Sequence, residues 1–455
     1  MNDNSTDPSL AEDAEKIVLK LRSAGFQALF AGGCVRDMIM GRAPKDIDIV
    51  TNAPPDKVQE LFPRSVAVGK AFGVVRVGAG SVYYDVATFR TDGIYRDGRR
   101  PQSVAFADEK TDAQRRDFTI NAIFYDPLEK KFHDYAGGRE DILKKTIRTV
   151  GNADDRFKED HLRMLRAVRF ASTLSFSIDQ QTFAAIRRNA PLIGKVSAER
   201  IQQELARILL ESEKVGDAFE MLSSLGLLKE ILPEVEKMRG QEQPPQFHPE
   251  GDVWTHTILM LNAMQKPSRL ATRSAWLAYA VLLHDVGKPD TAVQAADRIR
   301  FNRHAVHGAH MAEKILRRLR LPSADIKAIS FIVGNHMRFM DVRRMRKSTL
   351  RRLVTAKTFA DELELHRLDC EASHGDLQNY IFLKDFKAAF ESEPVLPPPL
   401  ITGHDVVALG IGRGPLVGKL KKAAYDAQLE GKFRERSDAL EWLKKAVSTN
   451  IDKNS

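Results

Sequence analysis

Cysteine is nearly absent from this 455-residue chain: there are two, Cys34 and Cys370, and neither belongs to a CxxC pair. That argues against a disulfide framework and against a cysteine-rich zinc site. Long hydrophobic runs are missing too. Apolar stretches such as LAYAVLLHDVG around Leu282 are broken by charge well short of the ~20 residues a membrane span needs, so no membrane helix is expected. The N-terminal segment MNDNSTDPSLAEDAEK is acidic and polar where a secretory signal is basic and then apolar, so a cytoplasmic location is expected. No repeat of fixed period recurs, which disfavours a solenoid. The segments VGKA and VGKP lack the glycine spacing and the Ser/Thr of an ATPase phosphate loop.

What is present is a long, basic chain. Its 43% hydrophobic content and its length are enough for about two to four domains, and its net charge of +9 favours a polyanionic partner. The pattern changes near residue 150. Before it, QALFAGG, DIDIVT, FGVVRVG and VYYDVATFR read as short strands separated by Gly, Pro and Asp turns. After it, HLRMLRAVRFAS, AERIQQELARILLES and AEKILRRLRLP carry apolar residues at helical spacing, so the remainder is expected to be all helical. Proline-rich breaks at 244–249 and 394–399 read as joints within that helical part.

The chemistry starts at Gly32-Gly33, between a strand-like run ending at Ala31 and a helix-like VRDMIMG. Exposed backbone N–H groups at a helix start can seat a phosphate, although a diglycine also serves as a plain tight turn. In KDIDIVT, Asp46 and Asp48 are two apart on a predicted strand, so both carboxylates project from one face while Ile47 and Ile49 enter the core. Like charges so placed repel unless a hard divalent cation such as Mg²⁺ sits between them; the bland reading is a solvated strand edge.

GGCVRDMIMGRAPKDIDIVT (32–51) resembles the first signature of the class II tRNA nucleotidyltransferases and bacterial poly(A) polymerases, within the polymerase β-like superfamily. The resemblance continues in order. RRDFTINA (115–122), GGREDILKKTIRTVG (137–151), EDHLRMLRAVRF (159–170) and SAERIQQEL (197–205) are similar to the second to fifth family motifs. It implies an α+β fold, with a polymerase β-like head of small mixed sheet and helices followed by a helical neck, body and tail. The implied divisions are a catalytic head at 1–150, a neck at 151–245, an HD-type domain at 246–390 and a tRNA-binding tail at 391–455. The implied reaction is CCA addition to the 3′ end of tRNA from CTP and ATP. Two Mg²⁺ ions on Asp46 and Asp48 would activate the RNA 3′-hydroxyl for attack on the α-phosphorus, with pyrophosphate leaving. Asp85, in YYDVATFR, is the candidate third carboxylate. By the same resemblance Gly32, Gly33, Arg36 and Asp37 lie at the nucleotide's phosphates or sugar, and Arg116, Asp117 and Asn121 at its ribose.

The fourth motif can choose the base. On one helix, Glu159 and Arg163 would be i,i+4 and Asp160 and Arg163 i,i+3, so acid and guanidinium would lie side by side, as in many surface pairs. Cytosine and adenine present an amino donor beside a ring-nitrogen acceptor, whereas uracil and guanine present the reverse. Asp160 accepting and Arg163 donating would suit C and A, and the resemblance makes these positions an amino-acid template, assisted by Arg166.

A second site is expected in the helical half. His256 in HTILML, His284 and Asp285 in HDVGKP, and Asp369 in HRLDCEASHGDL resemble the four ligands of an HD-type phosphohydrolase domain, and His304 and His336 could extend the set. Imidazoles with aspartates suit Mn²⁺, Ni²⁺ or Zn²⁺; the alternative is a vestigial domain kept for its helices. Basic runs at 343–352, 316–320 and 419–422 could track RNA phosphates or simply be solvated. Two rival activities remain. One is A-only addition or poly(A) synthesis by the same fold, disfavoured because Ala71 follows Lys70 where poly(A)-making relatives carry two basic residues. The other is an HD phosphohydrolase as the main enzyme. Filling of the loop at 91–114 disfavours C-only addition, and its Gly and charged residues suit a movable lever.

Overall fold

The computed structural model describes residues 8–69, 73–93, 104–264, 274–390 and 394–451. Lys70, Ala71 and the loop tip at 94–103 lie outside these. Two compact units form: the first lies mainly before Gly240 and also takes in Met264–Ala275 and Ile315–Leu321, and the second is built from the rest.

In the first unit the short apolar runs become strands: β1 (Ala28–Ala31), β2 (Asp48–Thr51), β3 (Ser65–Gly69), β4 (Val74–Ala79), β5 (Val82–Thr88), β6 (Arg90–Asp92), β7 (Val104–Phe106), β8 (Ile123–Asp126) and β9 (Lys131–Asp134). Seven make one sheet, ordered β3-β4-β5-β2-β1-β8-β9, while β6 and β7 pair separately. The sheet is mixed, because β2 and β5 run parallel and the other pairs antiparallel. All four residues of β1 are buried, as expected for a central strand with both faces covered. Its core includes Leu29, Val50, Phe89 and Phe124, with Phe89 and Phe124 edge-to-face at 6.1 Å. Beyond the sheet, helices dominate, beginning with Ala153–Glu159, Arg163–Leu174 and Ala198–Glu211.

The second unit is helical around a small hairpin, Ala292–Gln294 with Ile299–Phe301. This hairpin and a two-residue pairing of Thr146–Ile147 with Ser177–Ile178 add β structure to or at the edge of the part expected to be all helical. Among the described residues no helix is long and apolar enough to cross a membrane.

Candidate functional site

The register of the central strands gathers the head's carboxylates. Ala31 of β1 faces Asp48 of β2, and Ile49 faces Val86 of β5, so Asp48 and Asp85 are neighbours one step earlier on the same face. Asp46 lies in a bend just before β2, not within it as expected, yet Ile47 between the two aspartates is still buried. The Asp48 carboxyl is pushed up to about 6, first by desolvation at the cleft wall and then by the carboxylates of Asp46 and Asp85, with Arg116 opposing. Three crowded acids with one disfavouring its own charge form an oxygen donor set that could hold a hard divalent cation. Asp85 also binds Arg76 at 2.9 Å.

Gly32 follows β1 directly and adopts φ 78°, ψ −129°, a backbone state that side chains disfavour. A Cβ there would come 3.2 Å from Arg116 Nη1, so the glycine also makes room for that guanidinium. Beside this turn opens a cleft of about 470 Å³ lined by Gly32, Gly33, Arg36, Asp46, Asp48, Arg116, Asp117, Asn121, Asp160, Arg163 and Arg166, all expected from the sequence. Arg115, Arg169, Phe170 and Arg207 complete the lining. Asp37 sits just behind, fixing Arg36 at 2.7 Å, and Asp85 and Glu159 are outside the lining. Arginines outnumber aspartates on this wall, so it suits a polyanion, with acids confined to places where a cation or a base edge could meet them.

A hydrogen-bonded chain holds the expected ribose-binding residues together. Arg36 donates to Asn121 Oδ1 (2.9 Å), Asn121 donates to Asp117 Oδ1 (3.2 Å), and Arg166 donates twice to Asp117 Oδ2 (2.8 and 2.6 Å). Burial alone would raise the Asp117 carboxyl, but the Arg166 guanidinium holds it down at about 2.

The fourth motif differs from the single-helix expectation. Ala153–Glu159 ends at Asp160, whose Oδ1 accepts from the Leu162 N–H at 3.1 Å, and a new helix begins at Arg163. Asp160 therefore does not pair with Arg163. It pairs with Arg200 of the fifth motif (3.1 and 2.8 Å), while Arg163 donates to Glu159 (2.6 Å) and to the backbone oxygen of Arg115 (3.2 Å). Arg169 lies over the Phe170 ring at 4.0 Å and binds buried Glu204 at 2.6 Å. Arg169, Arg200, Glu204 and Arg207 were missed in the sequence. Their signal was available: Arg163, Arg166 and Arg169 recur every third residue, and Arg200, Glu204 and Arg207 lie at i, i+4, i+7, each set on one helix face.

In the second unit the helix Val253–Ala263 supplies His256, and His284-Asp285 follows the helix Ala275–Leu283. Asp369 comes from the helix Phe359–Ala372, while His304 opens the helix His304–Arg318 and His336 follows Ser323–Asn335. These six residues are brought together: His256, His284 and Asp369 form one potential metal-holding group, and Asp285, His304 and His336 another. Gly287 permits it, since a Cβ there would lie 2.5 Å from the His304 backbone oxygen. His256 is raised to about 9: burial opposes its charge, but hydrogen bonds to Asp369 and Glu250 outweigh it. Burial pushes His336 down to about 4 despite the nearby Asp285 carboxylate. His248 and Glu250 were not expected here; Glu250 accepts from both His248 (2.9 Å) and His256 (2.6 Å).

The basic runs divide. Arg318 is committed to Glu234 and Arg352 to Asp426, whereas Arg344, Arg346, Lys347, Lys419, Lys421 and Lys422 are exposed.

Similarity to known proteins agrees with this geometry. Residues 28–148 match the poly A polymerase head domain, 175–238 the probable RNA and SrmB-binding site of polymerase A, and 253–365 the HD domain. A CCA-adding enzyme of Geobacillus kaustophilus is 46% identical over 217 residues, 48% of this chain and 53% of that one. One from Staphylococcus aureus is 45% identical over 220 residues, 48% of this chain and 54% of its own. The chain thus spans about half the length of the curated relatives it matches. A crystal structure of the Bacillus stearothermophilus CCA-adding enzyme in complex with CTP superposes with a TM-score of 0.74 at 28% identity, covering 99% of this chain and 100% of that one. Fold and cleft together mark residues 28–148 as a head domain of the poly A polymerase type. The chain is thus similar, over about half its length, to CCA-adding enzymes, and it carries an HD-type domain after the head.

Proposed function

We propose that the chain is a template-independent tRNA nucleotidyltransferase that adds CCA to the tRNA 3′ end from CTP and ATP, acting in the cytoplasm. The observation that carries this reading is the cleft in which the acids Asp46 and Asp48 stand beside the Gly32 turn, facing an arginine-rich wall that includes Asp160 and Arg163. Mg²⁺ on Asp46 and Asp48, with Asp85 alongside, would supply activation of the 3′-hydroxyl and a clamp on the triphosphate. Arg36 and the Gly32-Gly33 turn receive phosphate, and Arg116, Asp117 and Asn121 hold the ribose. Asp160 and Arg163, each fixed by a different partner, read the base edge, with Arg166 supporting. The finer division into head, neck, HD-type domain and tail is part of the same reading. So is a transition ion, Mn²⁺, Ni²⁺ or Zn²⁺, on His256, His284, Asp285 and Asp369, favoured by the convergence of those side chains.

The deciding experiment incubates the full-length protein with tRNA lacking CCA and with tRNA ending in CC, giving each NTP separately. CTP use on the first and ATP use on the second is expected. ATP use alone on both would make it an A-adding enzyme. Asp46→Ala or Asp48→Ala should abolish addition with little change in Tm, because removing one of several crowded like charges does not weaken the fold. Near-normal turnover in either variant would sink the metal assignment.

A further inference from the structure

We propose that Asp112, whose own side chain stays outside the cleft, is a positioning residue for nucleotide selection: it fixes Arg116 directly and Arg163 through the end of the helix Glu109–Arg115. This deepens the reading of the cleft given above and rests on it.

In the sequence, TDAQRRDF reads as an acid three and four residues before two arginines, which on a solvated helix is a pair of little worth. The structure puts Asp112 in the interior instead. It is 0% exposed, and both of its oxygens are engaged. Oδ1 accepts from Arg115 Nε (2.8 Å) and Nη2 (2.6 Å), and from the Arg90 backbone N–H (3.2 Å) at the start of β6. Oδ2 accepts from Arg116 Nε at 3.1 Å. Arg115 Nε also reaches the Arg90 backbone oxygen at 3.2 Å. Hydrogen bonds between ionised groups are the strong and directional ones, and taking away the shared carboxylate would leave two guanidiniums side by side without it.

The first consequence falls on Arg116. Its Nε is held by Asp112, its Nη1 donates to the Asn121 backbone oxygen at 3.1 Å, and its guanidinium lies 4.9 Å from the Phe124 ring centre. A carboxylate, a carbonyl and a ring together fix the plane of this group beside the Gly32 turn.

The second consequence runs through the helix end. The helix stops at Arg115 because Arg116 is extended (φ −68°, ψ 162°), so the carbonyls of its last turn lack partners within it. Two of them are taken by arginines of the fourth motif and the helix before it. The Gln114 oxygen accepts from Arg156 Nη1 (3.1 Å), and the Arg115 oxygen from Arg163 Nη2 (3.2 Å). Arg163 Nη1 in turn donates to the Arg156 backbone oxygen at 3.1 Å. Asp112 ties this helix end to β6, and Arg163 hangs from the same end. Arg116 and Arg163 line the cleft, and Asp112 does not.

The test measures kcat/KM in full-length protein for CTP and UTP on tRNA ending before CCA, and for ATP and GTP on tRNA ending in CC. Each ratio is independent of how much of a preparation is folded, so a purely structural loss leaves it unmoved. Asp112→Asn keeps the shape but turns one acceptor into a donor facing a guanidinium. Both ratios should fall roughly three- to tenfold, with KM for the correct nucleotide raised, a smaller effect than removal of Arg163 itself. Asp112→Glu, which keeps both acceptors but displaces them, should lie between Asp112→Asn and the parent. Should Asp112→Asn fail to fold, Asp112→Glu decides: ratios below the parent's support the role, and equal ratios overturn it. Asp108→Ala removes the N-cap of the same helix, where Oδ1 accepts from the Thr111 N–H at 2.8 Å, and should lower Tm while leaving both ratios unchanged. Unchanged ratios in Asp112→Asn, or an equal fall in Asp108→Ala, would overturn the positioning role. A parent protein that uses ATP alone overturns CCA addition, and the ATP-to-GTP ratio then tests Asp112 by itself; a parent that adds no nucleotide overturns both.

Discussion

Asp160 shows how a residue's role can depend on a partner forty positions away. Its carboxylate is clamped by Arg200 while Arg163 is held by Glu159, so the two proposed base readers stand side by side on the cleft without spending their hydrogen bonds on each other. That arrangement suits a reading pair better than a mutual salt bridge would. Asp160→Ala or Arg163→Ala should relax discrimination against UTP and GTP by roughly one to two orders of magnitude, the worth of a buried hydrogen bond to a charged group. Arg200→Ala should do so more weakly, since Asp160 remains but loses its fixed orientation. The measurement is kcat/KM for all four NTPs on tRNA ending before CCA and in CC. Unchanged ratios in all three variants would return the pairs to a structural role. The acids and arginines of the fourth motif were legible because their types and order are dictated by chemistry. Their pairing was not, because periodicity reads EDHLRMLR as one helix. Only the turn at Asp160, where a side-chain oxygen competes for a backbone N–H, breaks it.

Elements place the clustered histidines at helix ends, and small residues set how closely those ends approach. Gly287 is the clearest case. A Cβ there would lie 2.5 Å from the His304 backbone oxygen and 2.7 Å from the Gly308 nitrogen, both rigid main-chain atoms. Gly287→Ala should therefore push the helix His304–Arg318 away and cost about 1–3 kcal/mol by overpacking. Calorimetry should show a lowered Tm and metal analysis a reduced content. Gly194→Ala, where the added Cβ meets nothing within 4 Å, should leave both unchanged. Equal Tm values for the two variants would mean that the approach is not tight. HDVGKP reveals its histidine and aspartate in the sequence. The need for glycine between them and the lysine is visible only when the second helix is packed against it.

For the whole molecule, two compact units carry two clusters of chemistry, the cleft in the first and the histidine cluster in the second. His284→Ala should empty metal from the second while CTP addition by the first keeps its kcat/KM; a large parallel loss of both would show the sites to be coupled. The sequence by itself determined the family resemblance, the order of strands and helices, the carboxylate pair and most of the cleft lining. Those follow from local patterns: alternation, glycine turns, and residue types that a given reaction requires. Tertiary structure decided what depends on long-range register and packing. Parallel pairing of β2 with β5 brings Asp85 beside Asp48, and the packing of the Ala198–Glu211 helix beside Arg163–Leu174 delivers Arg200 to Asp160 and Glu204 to Arg169. Five separate segments converge to turn a quartet of ligands into a cluster of six. Such partners are far apart in the chain, and a spacing rule reaches only a few residues, so they become neighbours only when the core forms.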